Sequence, residues 1–92
     1  SDRMHDLGDD EQARGYPGVV AYRFYGPLIF ANVGYFIERL QGFIDDQAEP
    51  VRQVVIDASA ITTIDYTASE KLRNFIEKLE ASGIEVDVAT AY

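Results

Sequence analysis

The sequence predicts an α/β domain, a mixed β-sheet with its helices packed mainly on one face. Three observations predict it. Val19 to Tyr25 alternates like a strand, with Val20, Tyr22 and Phe24 on one face and Val19, Ala21, Arg23 and Tyr25 on the other. Val33, Phe36, Ile37, Leu40 and Ile44 recur at helical spacing, as do Ala68, Leu72, Phe75, Ile76 and Leu79. Val54-Val55-Ile56 is a continuous β-branched run, the pattern of a strand inside a covered sheet.

The elements follow in order. Residues 1–16 read as a polar, mobile linker, in which Asp9, Asp10 and Glu11 form a solvated acidic run. The first strand is rich in aromatic and β-branched residues, as strands prefer. Gly26-Pro27 breaks it, and Leu28-Ile29-Phe30 resumes as a short extended piece expected to form a hairpin with the first strand. Asn32 is placed to cap the first helix, and Pro50 closes the connection after it. Asp57 terminates the Val54–Ile56 strand. The loop from Ala58 to Asp65 is expected to turn Ile61 and Ile64 inward. Thr67-Ala68-Ser69-Glu70 matches a capping box, with Thr67 as the cap of the second helix. Gly83 stops that helix. In the last strand, Ile84, Val86 and Val88 alternate with Glu85 and Asp87, predicting one buried face and one wet face. The final strand–helix–strand unit is expected to be parallel with a right-handed crossover.

Bulk properties narrow the function classes. Ninety-two residues make a single domain that buries roughly 60–65% of its unfolded surface. A formal charge of −8 disfavours nucleic acid and anionic lipid. No apolar run reaches the length of a membrane span. There is no cysteine and one histidine, His5, so the sequence predicts neither a thiolate metal site nor a Ser-His-Asp triad. No metal site and no catalytic residue is expected, and an enzyme is the weakest reading because no paired carboxylate motif is present. There is neither a Walker loop nor a G-x-G-x-x-G, so no cofactor is expected and a nucleotide has little support.

The segments Gly26-Pro-Leu-Ile-Phe-Ala-Asn32, Val54-Val-Ile-Asp57 and Ile64-Asp-Tyr-Thr-Ala68 together resemble the STAS family, which has the anti-sigma factor antagonist-like fold. The likeness covers residues 17–90, and residues 17–92 are assigned to the domain. The G-P-L-x-F-A-N turn is similar to that of the C-terminal cytoplasmic domains of SulP-type sulfate and bicarbonate transporters. The resemblance implies a regulatory and protein-interaction module, joined through residues 1–16 to a transmembrane domain and lying on the cytoplasmic face of the inner membrane. The alternative it implies is a free-standing anti-sigma factor antagonist switched by phosphorylation. In antagonists the residue after the loop aspartate is the phosphorylated serine; here Asp65 is followed by Tyr66. Thr67 is the nearest hydroxyl. Family members usually continue past the last strand with another helix, so a C-terminal part is expected to be missing. An apolar face left uncovered would favour a homodimer.

The candidate interaction loop is therefore Asp65, Tyr66, Thr67, Ala68 and Ser69, at a helix N-terminus where backbone N–H groups and the dipole favour anions. Thr67 and Ser69 are the candidate phosphorylation sites, although a plain N-cap is the favoured reading of Thr67. Asp57, Asn32 and Thr67 are candidate contacts for an anion or nucleotide. Asp65 is read as holding the loop by side-chain bonds, and Tyr66 as an exposed contact residue. Tyr35, Phe36 and Phe43 are read as packing.

Overall fold

The computed structural model describes residues 3–6 and 10–90. Among the described residues, seven strands and two helices follow in the order β1 (Arg3–Asp6), β2 (Glu11–Tyr16), β3 (Val19–Phe24), β4 (Gly26–Leu28), α1 (Val33–Asp45), β5 (Gln53–Asp57), β6 (Ile61–Ile64), α2 (Tyr66–Ala81) and β7 (Glu85–Ala89). The main sheet has the order β1-β2-β3-β5-β7. Strands β3, β5 and β7 are parallel, and β2 and β1 extend the sheet as antiparallel neighbours. Each parallel step crosses over through one helix and moves the same way across the sheet. Right-handed crossovers made in one direction put both helices on one face. The mixed sheet with one helical layer is the architecture the sequence predicts.

The buried face carries the core. Val20, Tyr22 and Phe24 of β3 and Val54 and Ile56 of β5 lie beneath Val33, Phe36 and Leu40 of α1 and Ala68, Phe75 and Leu79 of α2. The Phe36 ring meets Tyr22 and Phe24 edge-on, at 5.0 and 5.3 Å between centroids. Edge-to-face contacts of this kind add to the burial of Phe36, itself worth about 2–3 kcal/mol, and fix α1 over β3. The opposite face, with Arg14, Ala21, Arg23, Val55 and Asp57 pointing outward by strand alternation, carries no helix among the described residues.

The structure corrects several sequence-based expectations. Residues 11–16 are a strand, not part of a linker: Glu11 pairs with Phe24 and Tyr16 with Val19. A Pro17-Gly18 turn joins β2 to β3, and Gly18 takes φ +80°, a conformation open to glycine. Its carbonyl accepts from Arg52 N and Gln53 N, docking the turn against the start of β5. The acidic run is not uniformly solvated, for Glu11 is fully buried while Asp10 is exposed and Asp9 lies outside the described residues. No hairpin forms between β3 and residues 28–30. Strand β4 instead pairs in parallel with β6, in a separate two-stranded sheet. The positive φ of Gly26, +95°, turns the chain out of the main sheet between them.

At β7, Ile84 and Val86 pack on the core, but Val88 is 49% exposed, because the edge strand runs out beyond the cover of α2. The second helix ends as its sequence predicts. Gly83, with φ +96°, donates to Glu80 O, and Ile84 N returns to Leu79 O.

Candidate functional site

The two helices start at one corner of the molecule, and the short β4–β6 sheet builds it. Gly26 N donates to Ala60 O at 3.0 Å, and Asp65 N to Leu28 O at 3.2 Å. Asp65 then leaves the strand in an extended conformation, φ −85° and ψ 171°, which is the geometry of an N-cap. Its Oδ1 accepts from Ala68 N at 2.8 Å, and its Oδ2 accepts from Phe30 N, 35 residues back in the chain, at 2.9 Å. One carboxylate thus caps α2 and ties down the approach to α1.

Asn32 completes the corner. It occupies the N-cap position of α1, as expected, but its side chain makes no cap bond. Its Oδ1 accepts from Ile29 N at 2.8 Å and its Nδ2 donates to Pro27 O at 2.9 Å. The amide spans the 27–32 turn and satisfies a backbone donor and acceptor that no ladder reaches. The corner is therefore held by side-chain bonds, leaving its apolar side chains free to face outward. Phe30 is 70% exposed, Tyr66 79% and Ile64 44%. The exposure of Tyr66 agrees with the sequence reading. Ile64 was expected to turn inward; only Ile61 packs on the core, since Ile64 ends the β6 edge where the chain turns out into α2.

The Thr67 cap is corrected. Asp65 reaches the first free N–H groups two residues earlier, so Thr67 lies within the first turn of α2. Thr67 and Ser69 are exposed, and Glu70 bonds Arg73 instead of reaching back to a cap. Of the loop residues, only Ala68 is buried.

The Asp57, Asn32 and Thr67 set does not form one site. Asp57 lies on the helix-free face, where its Oδ1 accepts from the Ser59 hydroxyl at 2.6 Å and from Ser59 N at 3.0 Å. Arg23 stands 3.6 Å from its Oδ2. These partners, the Ser59 hydroxyl first, hold the Asp57 carboxyl below the usual aspartate range. Asn32 is committed to its own turn, and Thr67 faces solvent on the helical side.

A second polar cluster went unread in the sequence. Glu11 is fully buried, and its carboxylate accepts from Tyr22 Oη at 2.7 Å, Tyr35 Oη at 3.0 Å and Arg39 Nε at 2.9 Å. Burial pushes the Tyr22 hydroxyl far above the usual tyrosine range, and the bond to the Glu11 carboxylate adds to the shift. Tyr35, expected to pack, is 43% exposed and reaches Glu11 through its hydroxyl. The only sequence signal for this cluster was the alternation of Glu11 with Ala13, which puts both on the core side of a strand.

Comparison with known proteins places the geometry in context. The family model described as STAS domain matches residues 11–91. The chain is 36% identical over 81 residues to "Probable sulfate transporter Rv1739c" of Mycobacterium tuberculosis, covering 88% of this chain and 14% of that protein. It superposes on the crystal structure of a sulfate transporter family protein from Wolinella succinogenes with a TM-score of 0.58 and 27% identity, over 77% of this chain and 55% of the other. It superposes on murine Solute Carrier 26 family member A9, an anion transporter in the inward-facing state, with a TM-score of 0.71 and 18% identity, over 96% of this chain and 16% of that one. This last likeness is one of fold. The chain spans about a seventh of the length of the curated transporters it matches.

Proposed function

The chain belongs to the STAS domain family, and from that premise we propose that it is the cytoplasmic regulatory and interaction module of a SulP-type anion transporter. It acts by contact, with no chemistry of its own. The observation that carries this reading is the corner at Asp65, where Phe30, Ile64 and Tyr66 stand exposed on a turn held by Asp65 and Asn32. Apolar and aromatic side chains presented on a fixed support are what a partner surface buries as anchors. The partner is the transmembrane domain of the parent transporter, and differential contact with two of its states would bias the transport cycle.

A phosphate on Thr67 or Ser69 would add about −1.5 to −2 charge in the first turn of α2. It would gain from the helix dipole and be repelled by Asp65 and Glu70, so a partner docked on Tyr66 would sense it.

The test is sulfate uptake into proteoliposomes by the full-length transporter carrying Phe30→Ser and Tyr66→Ser. Loss of two exposed anchors should lower uptake about 10-fold if each contributes as an ordinary interface anchor. The isolated domain should keep its urea midpoint, since both side chains face solvent. Unchanged uptake, or a reading frame with no membrane region upstream, overturns the proposal.

A further inference from the structure

A groove of about 320 Å³ runs between the helices, lined by Gly34 and Ile37 of α1 and by Lys71, Asn74, Phe75 and Lys78 of α2. We propose that it is a docking site for an acidic amphipathic helix of a protein partner. The groove is separate from the corner at Asp65, and the inference does not depend on the transporter reading.

Charge is the first argument. The chain carries 16 acidic residues and only two lysines, Lys71 and Lys78, and both line this groove. Arg23, Arg39 and Arg73 are each paired with a carboxylate of the chain, whereas neither lysine has an ion pair among the described residues. On an acidic surface, two unpaired ammonium groups on one wall make a local field of the opposite sign, which steers and selects a complementary partner.

Shape is the second. Lys71, Asn74 and Lys78 follow one stripe of α2, and the acidic residues Glu70, Glu77 and Glu80 fall on another, by helical periodicity. Lys71 and Lys78 stand two turns apart, about 10 Å along the axis. Between them the floor is apolar, made by Phe75 and Ile37. The α1 wall opens at Gly34, where an added Cβ would meet nothing within 4 Å. A trough bounded by two helices, with an apolar floor and a missing side chain on one wall, accepts a third helix by ridge-into-groove packing. Glu38 follows Gly34 by one turn on α1, so the incoming acidic flank must lie toward α2, which fixes the orientation of the guest.

The probe is a fluorescein-labelled helical peptide with leucines on one face and glutamates spaced two turns apart along one flank. Fluorescence anisotropy with this chain should show saturable binding that weakens with salt. A control peptide with lysines in place of the glutamates should not bind. Lys71→Glu with Lys78→Glu, at exposed positions, should weaken the acidic peptide about 10-fold or more and admit the lysine peptide. Gly34→Leu should block the acidic peptide, while circular dichroism and the urea midpoint stay unchanged or improve, since leucine favours the helix. Equal affinity for the two peptides, or binding indifferent to the double lysine variant, overturns the proposal. So does saturable binding of free glutamate at Lys71 and Lys78 with no binding of the peptide, which would assign the groove to a small anion.

Discussion

Glu11 draws three side-chain donors together inside the protein, whereas Asp65 draws two backbone donors together at its surface. Both carboxylates join segments far apart in sequence. Glu11 ties β2 to β3 and α1, and every atom it organises faces the core or the flank of α1. Asp65 ties the β4–α1 turn to the start of α2, and leaves Phe30 and Tyr66 pointing into solvent. The difference is one of dielectric. A carboxylate without water needs charged or hydroxyl donors to offset its desolvation, and so it recruits Arg39 and the tyrosines. At the surface, backbone N–H groups suffice, and the side chains around it remain available for contact. The knot at Glu11 serves stability, and the corner at Asp65 is the surface proposed for recognition.

The comparison can be broken most directly at Glu11. Glu11→Ala leaves Tyr22 Oη and Arg39 without their acceptor beneath the helical layer, and should cost about 3 kcal/mol in urea unfolding. A loss under about 1 kcal/mol would show that water or a rearranged Arg39 replaces the carboxylate, and the knot would lose its structural role.

Asp65→Ala should cost less, about 2 kcal/mol, through a lost cap and one lost backbone bond. Its larger effect should be on order at the corner. Amide exchange at Phe30 and Ala68 should accelerate, while that of β3 and β5 follows the global stability. Equal acceleration throughout the chain would mean that the corner is not a separate unit.

The smallest effect sharpens the comparison by pH. The folded-state pKa of Tyr22 is raised above its unfolded value of about 10. Its contribution is therefore whole below pH 10 and is lost as pH rises toward the folded value, because only the unfolded chain can release the proton. By pH 11 the loss should be roughly 1 kcal/mol, and Tyr22→Phe should lack that part of the alkaline slope in urea titrations. An identical slope in the variant would place the titrating group elsewhere.

The amphipathic stripes of both helices, the β-branched Val54–Ile56 run and the break at Gly83 were legible in sequence because each rests on local periodicity or on a single backbone requirement. So was the solvent exposure of Tyr66, as a large side chain at the mouth of a helix with no apolar partner at helical spacing. Strand β2 was not legible, since Glu-Gln-Ala-Arg-Gly-Tyr is polar and its ladder is supplied by β3. The β4–β6 pairing escaped for the same reason, being a contact between segments more than 30 residues apart. Thr67-x-x-Glu70 satisfied the rule for a capping box, but Asp65 stood two residues earlier in an extended conformation set by its bond to Leu28.

What the sequence determined by itself is what the chain does with its nearest neighbours: where helices run, which stripe they bury, and the STAS family they mark out. Tertiary structure alone decided which polar groups meet. A carboxylate is tolerated in the interior, or made the keystone of a corner, by donors that arrive from elsewhere in the chain, and no local pattern records their arrival.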